Sequence, residues 1–308
     1  MSETGPPLAL SIVVPVYNEE GNVEPLHGEL TQVARQLGRP YELVFVNDGS
    51  RDGTLARLTA LRARDENLRI VDLDGNFGEA AALSAGFAHA RGALVVTLDG
   101  DGQNDPADIP RLLARLGPEL DVVSGRRRER QEAFLTRVLP SRIANWLVAR
   151  ATGVPVHDTG CGLKVYRREV VAGAQLPRGM NRFLPAVLGV RPTRVAEEWV
   201  NDRRRGSGQS HYGLSRTFAV LRDLLALPIL VRLPRHGLAF GHALGRAPVA
   251  LIGVTLLAGL AGLGWPAGRA PVLVAALVAV AAGCAIAHAV GRWLRAQERG
   301  VFRVRRTL

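Results

Sequence analysis

The stretch Gly92-Ala93-Leu94-Val95-Val96 leads directly into Thr97-Leu98-Asp99-Gly100-Asp101-Gly102-Gln103-Asn104-Asp105. The first part is a short apolar run, typical of a strand buried in a parallel sheet. The second part places two carboxylates one residue apart at the mouth of that strand. Like charges this close repel each other unless a cation lies between them. Two Asp carboxylates and the Gln103 amide are oxygen ligands that suit Mg²⁺ or Mn²⁺. A solvated acidic turn is the alternative interpretation, because Asp-Gly is ordinary turn sequence.

Three apolar runs of the same kind precede this strand, and helical patterns separate them. The runs cover residues 10–15, 41–46 and 68–73, and the helical patterns cover about 22–37, 54–64 and 78–90. Strands that alternate with helices at this spacing predict βαβ units. The fold class expected is therefore α/β, with a Rossmann-like and mostly parallel central sheet.

Polar residues follow each of the four predicted strands. In a parallel sheet, ligands bind outside the carboxyl ends of the strands, so these residues would face one crevice. There they could hold a base, a ribose and a diphosphate. Taken singly, Asn18 or Asp48 could be only a turn or capping residue. The candidates are Tyr17, Asn18, Glu19, Asp48, Asp74, Asn76, Asp99 and Asp101.

Composition and missing motifs exclude several classes of protein. The net charge of +11 comes from arginine, but aromatic residues make up only 5% and do not interleave with the basic clusters, so nucleic acid is not an expected partner. The first strand–helix turn lacks G-x-G-x-x-G, which counts against a Rossmann dehydrogenase. No G-x-x-x-x-G-K-[ST] loop occurs, which counts against a P-loop nucleotidase. Cys161 and Cys284 lie far apart in the sequence and in segments of different composition, so neither a disulfide framework nor a zinc site is predicted. Residues 1–7 show no export signal, so the first domain is expected to stay on the side where it is made.

Four motifs together resemble family 2 glycosyltransferases, and more narrowly the polyprenyl-phosphate glycosyltransferases typified by dolichyl-phosphate mannose synthase. They are Val14-Pro15-Val16-Tyr17-Asn18-Glu19, Asn47-Asp48-Gly49-Ser50, Asn76-Phe77-Gly78 and Asp99-Gly100-Asp101-Gly102-Gln103. The resemblance covers about residues 10–215 and implies the nucleotide-diphospho-sugar transferase (GT-A) fold. It implies a nucleotide-sugar site at Pro15, Tyr17, Asn18, Glu19, Asp48, Asn76, Asp99 and Gly100. It implies a metal held by Asp99, Asp101 and Gln103, and a catalytic set of Asp99, Asp101, Asp158 and Arg205.

The middle of the chain carries the expected acceptor side. A strand at about 120–125 ends in a run of arginines, and an amphipathic stretch follows at 134–148. The resemblance implies that Arg127, Arg137 and Ser141 grip the phosphate of an acceptor lipid, a role suited to the arginine fork. Asp158 is open between a carboxylate acting near the sugar and a structural acid paired with an arginine. Cys161 has no histidine partner that would make it a nucleophile.

A basic, glycine-rich segment at 203–213 has the composition of a mobile loop. It resembles the family's loop that folds over the donor diphosphate. The positions concerned are Arg204, Arg205, Ser210, His211 and Tyr212, with His211 standing where the family often has lysine. A flexible linker is the alternative interpretation.

The last third of the chain predicts membrane attachment. Residues 216–247 read as an interfacial amphipathic segment. Uncharged runs at 248–265 and 271–290 are each long enough to span the hydrocarbon core, which predicts a transmembrane hairpin at 248–291. Arginines flank the hairpin on both sides and fill a basic tail at 292–308, which places the catalytic domain (1–215) and both termini on the cytoplasmic side of the inner membrane. A buried helical hairpin in a soluble protein is the alternative.

These features favour an inverting transfer of a sugar from a UDP- or GDP-sugar to a membrane polyprenyl phosphate. The alternatives are a glycosyltransferase acting on another lipid or glycan, a membrane-anchored NAD-dependent reductase, and a non-catalytic scaffold for a lipid carrier. The sequence leaves the sugar, the prenyl length and the choice between a monomer and a homo-oligomer undecided.

Overall fold

The computed structural model describes residues 8–128, 156–203 and 302–308, which belong to one compact unit. Its first part alternates strand and helix in the predicted order. The elements are β1 (Leu10–Val16), α1 (Val23–Gln36), β2 (Tyr41–Asn47), α2 (Thr54–Arg62), β3 (Leu68–Leu73), α3 (Glu79–His89) and β4 (Leu94–Thr97). The strands and helices expected up to β4 are therefore confirmed, with small shifts at their ends.

The later elements are shorter. They are α4 (Ile109–Arg115), β5 (Val122–Arg127), β6 (Lys164–Arg167), β7 (Val195–Val200) and β8 (Val304–Thr307). Single helical turns lie at Pro106–Asp108, Arg168–Val171, Met180–Phe183, Leu184–Val187 and Pro192–Arg194.

The described strands form one sheet in the order β7-β5-β6-β4-β1-β2-β3-β8. The block β3-β2-β1-β4 is parallel throughout, as expected from the βαβ pattern. Beyond β4 the sheet is mixed, because β6 lies antiparallel between β4 and β5. The parallel block brings the carboxyl ends of four consecutive strands to one edge, and this edge carries the candidate site.

Alternate residues of each strand enter two separate cores, as the twofold repeat of a strand requires. On one face Ile12 and Val14 pack with Leu26 and Leu30 of α1. On the other face Val13 packs with the alanine-rich helix α3, whose side chains are small enough for close approach. With helices on both faces, the central strands are buried on both sides, and that fixes the strand ends that hold the site.

Several predictions fall outside the described residues. They concern Arg137, Ser141, the loop residues Arg204, Arg205, Ser210, His211 and Tyr212, the interfacial segment 216–247 and the hairpin 248–291. Within the ranges that the structure describes, no helix has both the length and the apolar character needed to cross a membrane. Of the predicted basic tail, residues 304–307 form β8, which pairs antiparallel with β3 at the edge of the sheet.

Candidate active site

The loops after β1 and β2 are joined by their own side chains. Asn18 has a positive φ of 56°, a conformation that asparagine tolerates better than most residues. In this conformation its amide donates to Ser50 Oγ (3.0 Å), and its Oδ1 accepts from the amide of Arg51 (2.8 Å). The Glu19 amide donates to Thr54 Oγ1 at 2.9 Å. The motif residues Asn18 and Glu19 therefore shape the loop, and the neighbouring Tyr17 ring remains 40% exposed beside it.

Asp48 connects the end of β2 to the loop after β3. Its side chain is buried, and its two carboxylate oxygens accept from the amides of Phe77 (2.7 Å) and Gly78 (2.8 Å). Burial raises the pKa of Asp48, while these two amide bonds act against the rise. A β-carbon on Gly49, whose φ is +67°, would overlap the backbone of Gly75 and Asn76. The second and third loops are thus packed backbone to backbone, with exposed Asn76 at their rim.

Asp99 lies two residues after the end of β4, and a neighbouring glycine leaves room for its side chain. The Asp99 backbone amide donates to Asn104 Oδ1 at 3.0 Å, and this bond closes a loop within the acidic stretch, residues 97–105. The Asp99 carboxylate lies against Gly162, where any β-carbon would overlap both of its oxygens. The adjacent Gly100 lies against the Pro15 carbonyl and Val16, so the fourth loop contacts the first.

Asp99 also has the strongest electrostatic perturbation of the acidic stretch. Burial raises its pKa to about 8, and the charges of Glu79 and Asp101 add to the rise, while Lys164 and Arg127 oppose it. A small cleft opens beside the carboxylate, and the polar residues that line it are Glu79, Asp99, Thr159, Lys164, Asn181 and Arg182. Side chains of both signs therefore meet at this cleft, Glu79 and Asp99 on one hand and Lys164 and Arg182 on the other.

Asp101 and Gln103 lie in one turn, since Asp101 Oδ1 accepts from the Gln103 amide at 3.1 Å. The Gln103 carbonyl in turn accepts from the Arg203 amide at 2.9 Å. Arg203 also binds Asp105 Oδ1 and Glu29 Oε2, each at 2.6 Å. The base of the segment predicted to form a loop over the donor is therefore fastened to the acidic stretch.

No group of three or more His, Cys, Asp or Glu side chains that could hold a metal ion occurs in residues 8–128, 156–203 and 302–308. The donor set of Asp99, Asp101 and Gln103 nevertheless fits Mg²⁺ or Mn²⁺. Such ions are commonly held by one or two carboxylates together with the phosphates of a substrate.

Arg127 and Asp158 form a bidentate salt bridge. Arg127 Nε donates to Asp158 Oδ2 at 2.8 Å and Nη2 to Oδ1 at 3.1 Å, and both side chains are largely buried. Burial disfavours the charged form of Arg127, but Asp158 outweighs this and raises the arginine pKa above its ordinary value. Of the two interpretations left open for Asp158, the structure supports the acid paired with an arginine.

Sequence reasoning missed the contribution of two residues in the segment after Asp158. Gly162 makes room for Asp99, and Lys164, the chain's single lysine, is only 2% exposed and donates to the carbonyl of Cys161. A lone lysine among many arginines was a signal for a special position. Cys161 itself is buried, and that burial raises the pKa of its thiol to about 12, which agrees with its exclusion as a nucleophile.

Comparison with known proteins agrees with this architecture. The model of Glycosyl transferase family 2 matches residues 11–173. Dodecaprenyl-phosphate galacturonate synthase of Rhizobium johnstonii is 43% identical over 251 residues, which is 80% of this chain and 74% of the relative. Undecaprenyl-phosphate 4-deoxy-4-formamido-L-arabinose transferase of Pseudomonas aeruginosa is 40% identical over 217 residues, 70% of this chain and 64% of the relative.

Among solved structures, glucosyl-3-phosphoglycerate synthase from Mycobacterium tuberculosis, in complex with Mn²⁺ and uridine-diphosphate-glucose, superposes with a TM-score of 0.57. The match covers 75% of this chain and 81% of that chain at 21% identity, so it bears on the fold alone.

The fold and the family match define a glycosyltransferase with a GT-A-like α/β domain. The chain belongs to glycosyl transferase family 2, and the predicted resemblance is confirmed.

Proposed function

We propose that this chain transfers a sugar, with inversion at the anomeric carbon, from a nucleotide diphosphate to the phosphate of a membrane polyprenol. The observation that carries most weight is the 43% and 40% identity to two transferases whose names specify dodecaprenyl and undecaprenyl phosphate. This identity extends over 70–80% of the chain. A reductase or a non-catalytic scaffold has no comparable support.

The donor would bind along the carboxyl edge of β1 to β4. The contacts between the four loops support this, because they preform a continuous rim rather than four separate turns. Exposed Tyr17 and Asn76 would meet the base and ribose. Asp48 would act mainly through the Phe77 and Gly78 amides that it holds, and Asn18 and Glu19 through the shape of the first loop. Pro15 and Gly100 would supply the close backbone contact between the first and fourth loops.

Asp99, Asp101 and Gln103 would hold Mg²⁺ or Mn²⁺ against the donor diphosphate. When bound, the ion supplies Lewis-acid neutralisation of the charge on the leaving diphosphate. The backbone amide of Asp99 is held by Asn104, and its carboxylate packs against Gly162, so little reorganisation is needed. Arg205, on the loop that Arg203 fastens to Asp105, would add positive charge near the same phosphates.

The acceptor phosphate is anionic near neutral pH and therefore needs no strong general base. Arg127, with Arg137 and Ser141, would orient it, and Asp158 would fix the Arg127 guanidinium in place. Asp158 is thus a positioning residue in this scheme. Arg204, Ser210, His211 and Tyr212 would close over the donor before transfer.

The acceptor is a membrane lipid, so the chain would act at the inner face of the cytoplasmic membrane. The interfacial segment 216–247 and the hairpin 248–291 would attach it there, and its arginines would favour anionic headgroups. The sequence pattern supports this attachment through the two uncharged runs within 248–290.

A lipid-product assay tests the proposal. Membranes that contain the chain are incubated with radiolabelled UDP- and GDP-sugars in the presence of polyprenyl phosphate, and the lipid extract is examined for a product labile to mild acid. We expect one donor to give such a product, and EDTA or Asp101→Ala to abolish it. A chain that gives no lipid-linked sugar from any donor, although a known polyprenyl-phosphate transferase does so in the same membranes, contradicts the proposal.

A further inference from the structure

The end of the chain forms a strand that completes the donor side of the sheet. Strand β8 pairs antiparallel with β3, with Val71 opposite Thr307 and Asp72 opposite Arg306. The amide and carbonyl of Leu308 exchange two 2.9 Å bonds with Ile70. At the other end of the strand, the Asp74 amide donates to the Arg303 carbonyl at 3.0 Å. The backbone ladder therefore extends up to the first residue of the loop after β3.

Two arginines of this strand approach one buried carboxylate. Asp72 is 1% exposed, and its Oδ2 lies 3.3 Å from Arg306 Nε and 4.0 Å from Arg305 Nη1. Arg305 Nη2 also donates to the Asp74 carbonyl at 3.3 Å. A carboxylate removed from water in this way depends on nearby positive charge, and β8 provides it.

The second oxygen of Asp72 continues the connection into the site. Asp72 Oδ1 accepts from Asn47 Nδ2 at 2.8 Å, and Asn47 Oδ1 accepts from the Ser50 amide at 3.2 Å. Ser50 Oγ then accepts from the Asn18 amide at 3.0 Å. An unbroken series of hydrogen bonds thus runs from Arg306 through the ends of β3 and β2 to the loop after β1.

We propose that β8 is a positioning element for the donor site: the last residues of the chain hold the loops after β1, β2 and β3 in the shape that binds a nucleoside diphosphate. This inference rests on the proposed function for the identity of the ligand. The bracing of the loops rests on the hydrogen bonds alone. One consequence is that a chain lacking its last residues keeps its catalytic groups and loses donor affinity.

The first test compares the full chain with a variant that lacks residues 303–308, by hydrogen exchange in detergent or nanodiscs. The amides to follow are those of Ser50, Phe77 and Gly78, because none of them bonds to β8 itself. We expect their exchange to be about tenfold faster in the shortened chain, because the hydrogen bonds that protect these amides would be broken more often. Unchanged exchange at all three amides would overturn the proposal.

The second test measures the role of the charge. Arg305→Ala/Arg306→Ala removes both arginine partners of Asp72, while Arg39→Ala/Arg64→Ala removes the same charge from two exposed side chains outside β8. UDP and GDP, each with Mn²⁺, serve as probes for binding, and steady-state kinetics separate KM from kcat. We expect the Arg305/Arg306 variant to bind the nucleotide about tenfold more weakly, which a lost charge-assisted hydrogen bond is sufficient to cause. The KM for the donor should rise with kcat unchanged, and Arg305→Lys/Arg306→Lys should recover most of the affinity.

The outcomes separate this inference from the proposed function. A lower melting temperature with unchanged nucleotide affinity and unchanged loop exchange means that β8 only stabilises the fold, and the positioning role is then rejected. If the full chain binds neither UDP nor GDP, the proposed donor site fails, while the exchange of Ser50, Phe77 and Gly78 still decides whether β8 braces the loops. An equal loss of affinity in the Arg39/Arg64 control would also reject the inference, because a general charge effect would explain it.

Discussion

At the scale of single residues, the position of Asp99 depends on the missing side chain of Gly162. A β-carbon there would overlap the carboxyl carbon and both oxygens of Asp99, so the Asp99 side chain would have to move. We expect Gly162→Ala to lower kcat about 100-fold, because a displacement of about 1 Å at a reacting centre has an effect of this order. Steady-state turnover measures this. Gly28→Ala is the control, since nothing lies within 4 Å of that position in α1. Equal activity of Gly162→Ala and wild type would contradict the geometry.

The raised pKa of Asp99 predicts how stability depends on pH when metal is removed. Its pKa rises from 3.8 to about 8 in the folded chain, mainly through burial. The folded state therefore holds this proton more tightly than the unfolded state, and its stabilising effect is lost as pH rises from about 4 to about 8. Asparagine cannot ionise, so Asp99→Asn should melt at a higher temperature than wild type in EDTA, by more at about pH 8 than at about pH 5.

Thermal unfolding across this pH range measures the difference. Asp74→Asn is the matched control because Asp74 is exposed. A gap between Asp99→Asn and wild type that does not widen with pH would count against a raised pKa for Asp99.

Asp158 offers a third test at this scale. If it positions Arg127, Asp158→Asn keeps measurable turnover but loses stability, by about 3–5 kcal/mol for a broken buried pair. Denaturant unfolding and the lipid-product assay together measure both effects. Asp121→Asn breaks a similar bidentate salt bridge with Arg194 that is more exposed, and the loss of stability should be smaller. Complete loss of turnover in a stable Asp158→Asn protein would assign Asp158 a direct part in the reaction.

At the scale of elements, Arg203 connects three parts of the domain: α1 through Glu29, the acidic stretch through Asp105, and the loop that begins after it. Removing the arginine should loosen the turn of Asp101 and Gln103 as well as the base of the loop. We expect Arg203→Ala to raise the KM for the donor several-fold with a smaller effect on kcat, measured by steady-state kinetics. Arg39→Ala, at an exposed position, should match wild type. A change confined to the acceptor KM would refute this connection.

The same elements indicate which parts of the fold can be predicted from sequence. Strands β1 to β4 and helices α1 to α3 were predictable because apolar runs and helical periodicity are local properties. Strand β6 reaches its place between β4 and β5 through pairing with residues far away in the chain, which no local pattern encodes. Strand β8 contains adjacent arginines and reads as a basic tail, and its position is explained by its backbone pairing with β3 and its ion pairs with Asp72.

The candidate site was predictable in the same uneven way. The residue types and the edge of the sheet followed from the motifs and the parallel topology. The partners did not: Asp48 binds two amides and Asp158 binds Arg127, and such pairings depend on distances that only the folded chain sets. Gly162 could not be identified as a site residue from the sequence, because it contributes only the absence of a side chain next to the Asp99 carboxylate.

At the scale of the whole molecule, the proposed attachment to the membrane makes a separate prediction. The runs within 248–290 are uncharged and long enough to span the bilayer core. We therefore expect the full chain to stay with membranes after alkaline carbonate washing, and a chain without residues 248–291 to appear in the soluble fraction. High salt alone should release neither the full chain nor its activity, because burial of apolar surface holds it in place. Release of the full chain by carbonate would show peripheral attachment.

The single lysine of the chain, Lys164, is enclosed in the middle of the sheet. A protease specific for lysine would therefore have one cutting site in the entire polypeptide, and that bond becomes accessible only when β4, β5 and β6 separate. Brief exposure to such an enzyme would count unfolded molecules directly, without any introduced label. The protein thus carries its own reporter of global opening, and every variant discussed above that adds no lysine can be ranked for stability by the fraction of chains cut into two pieces.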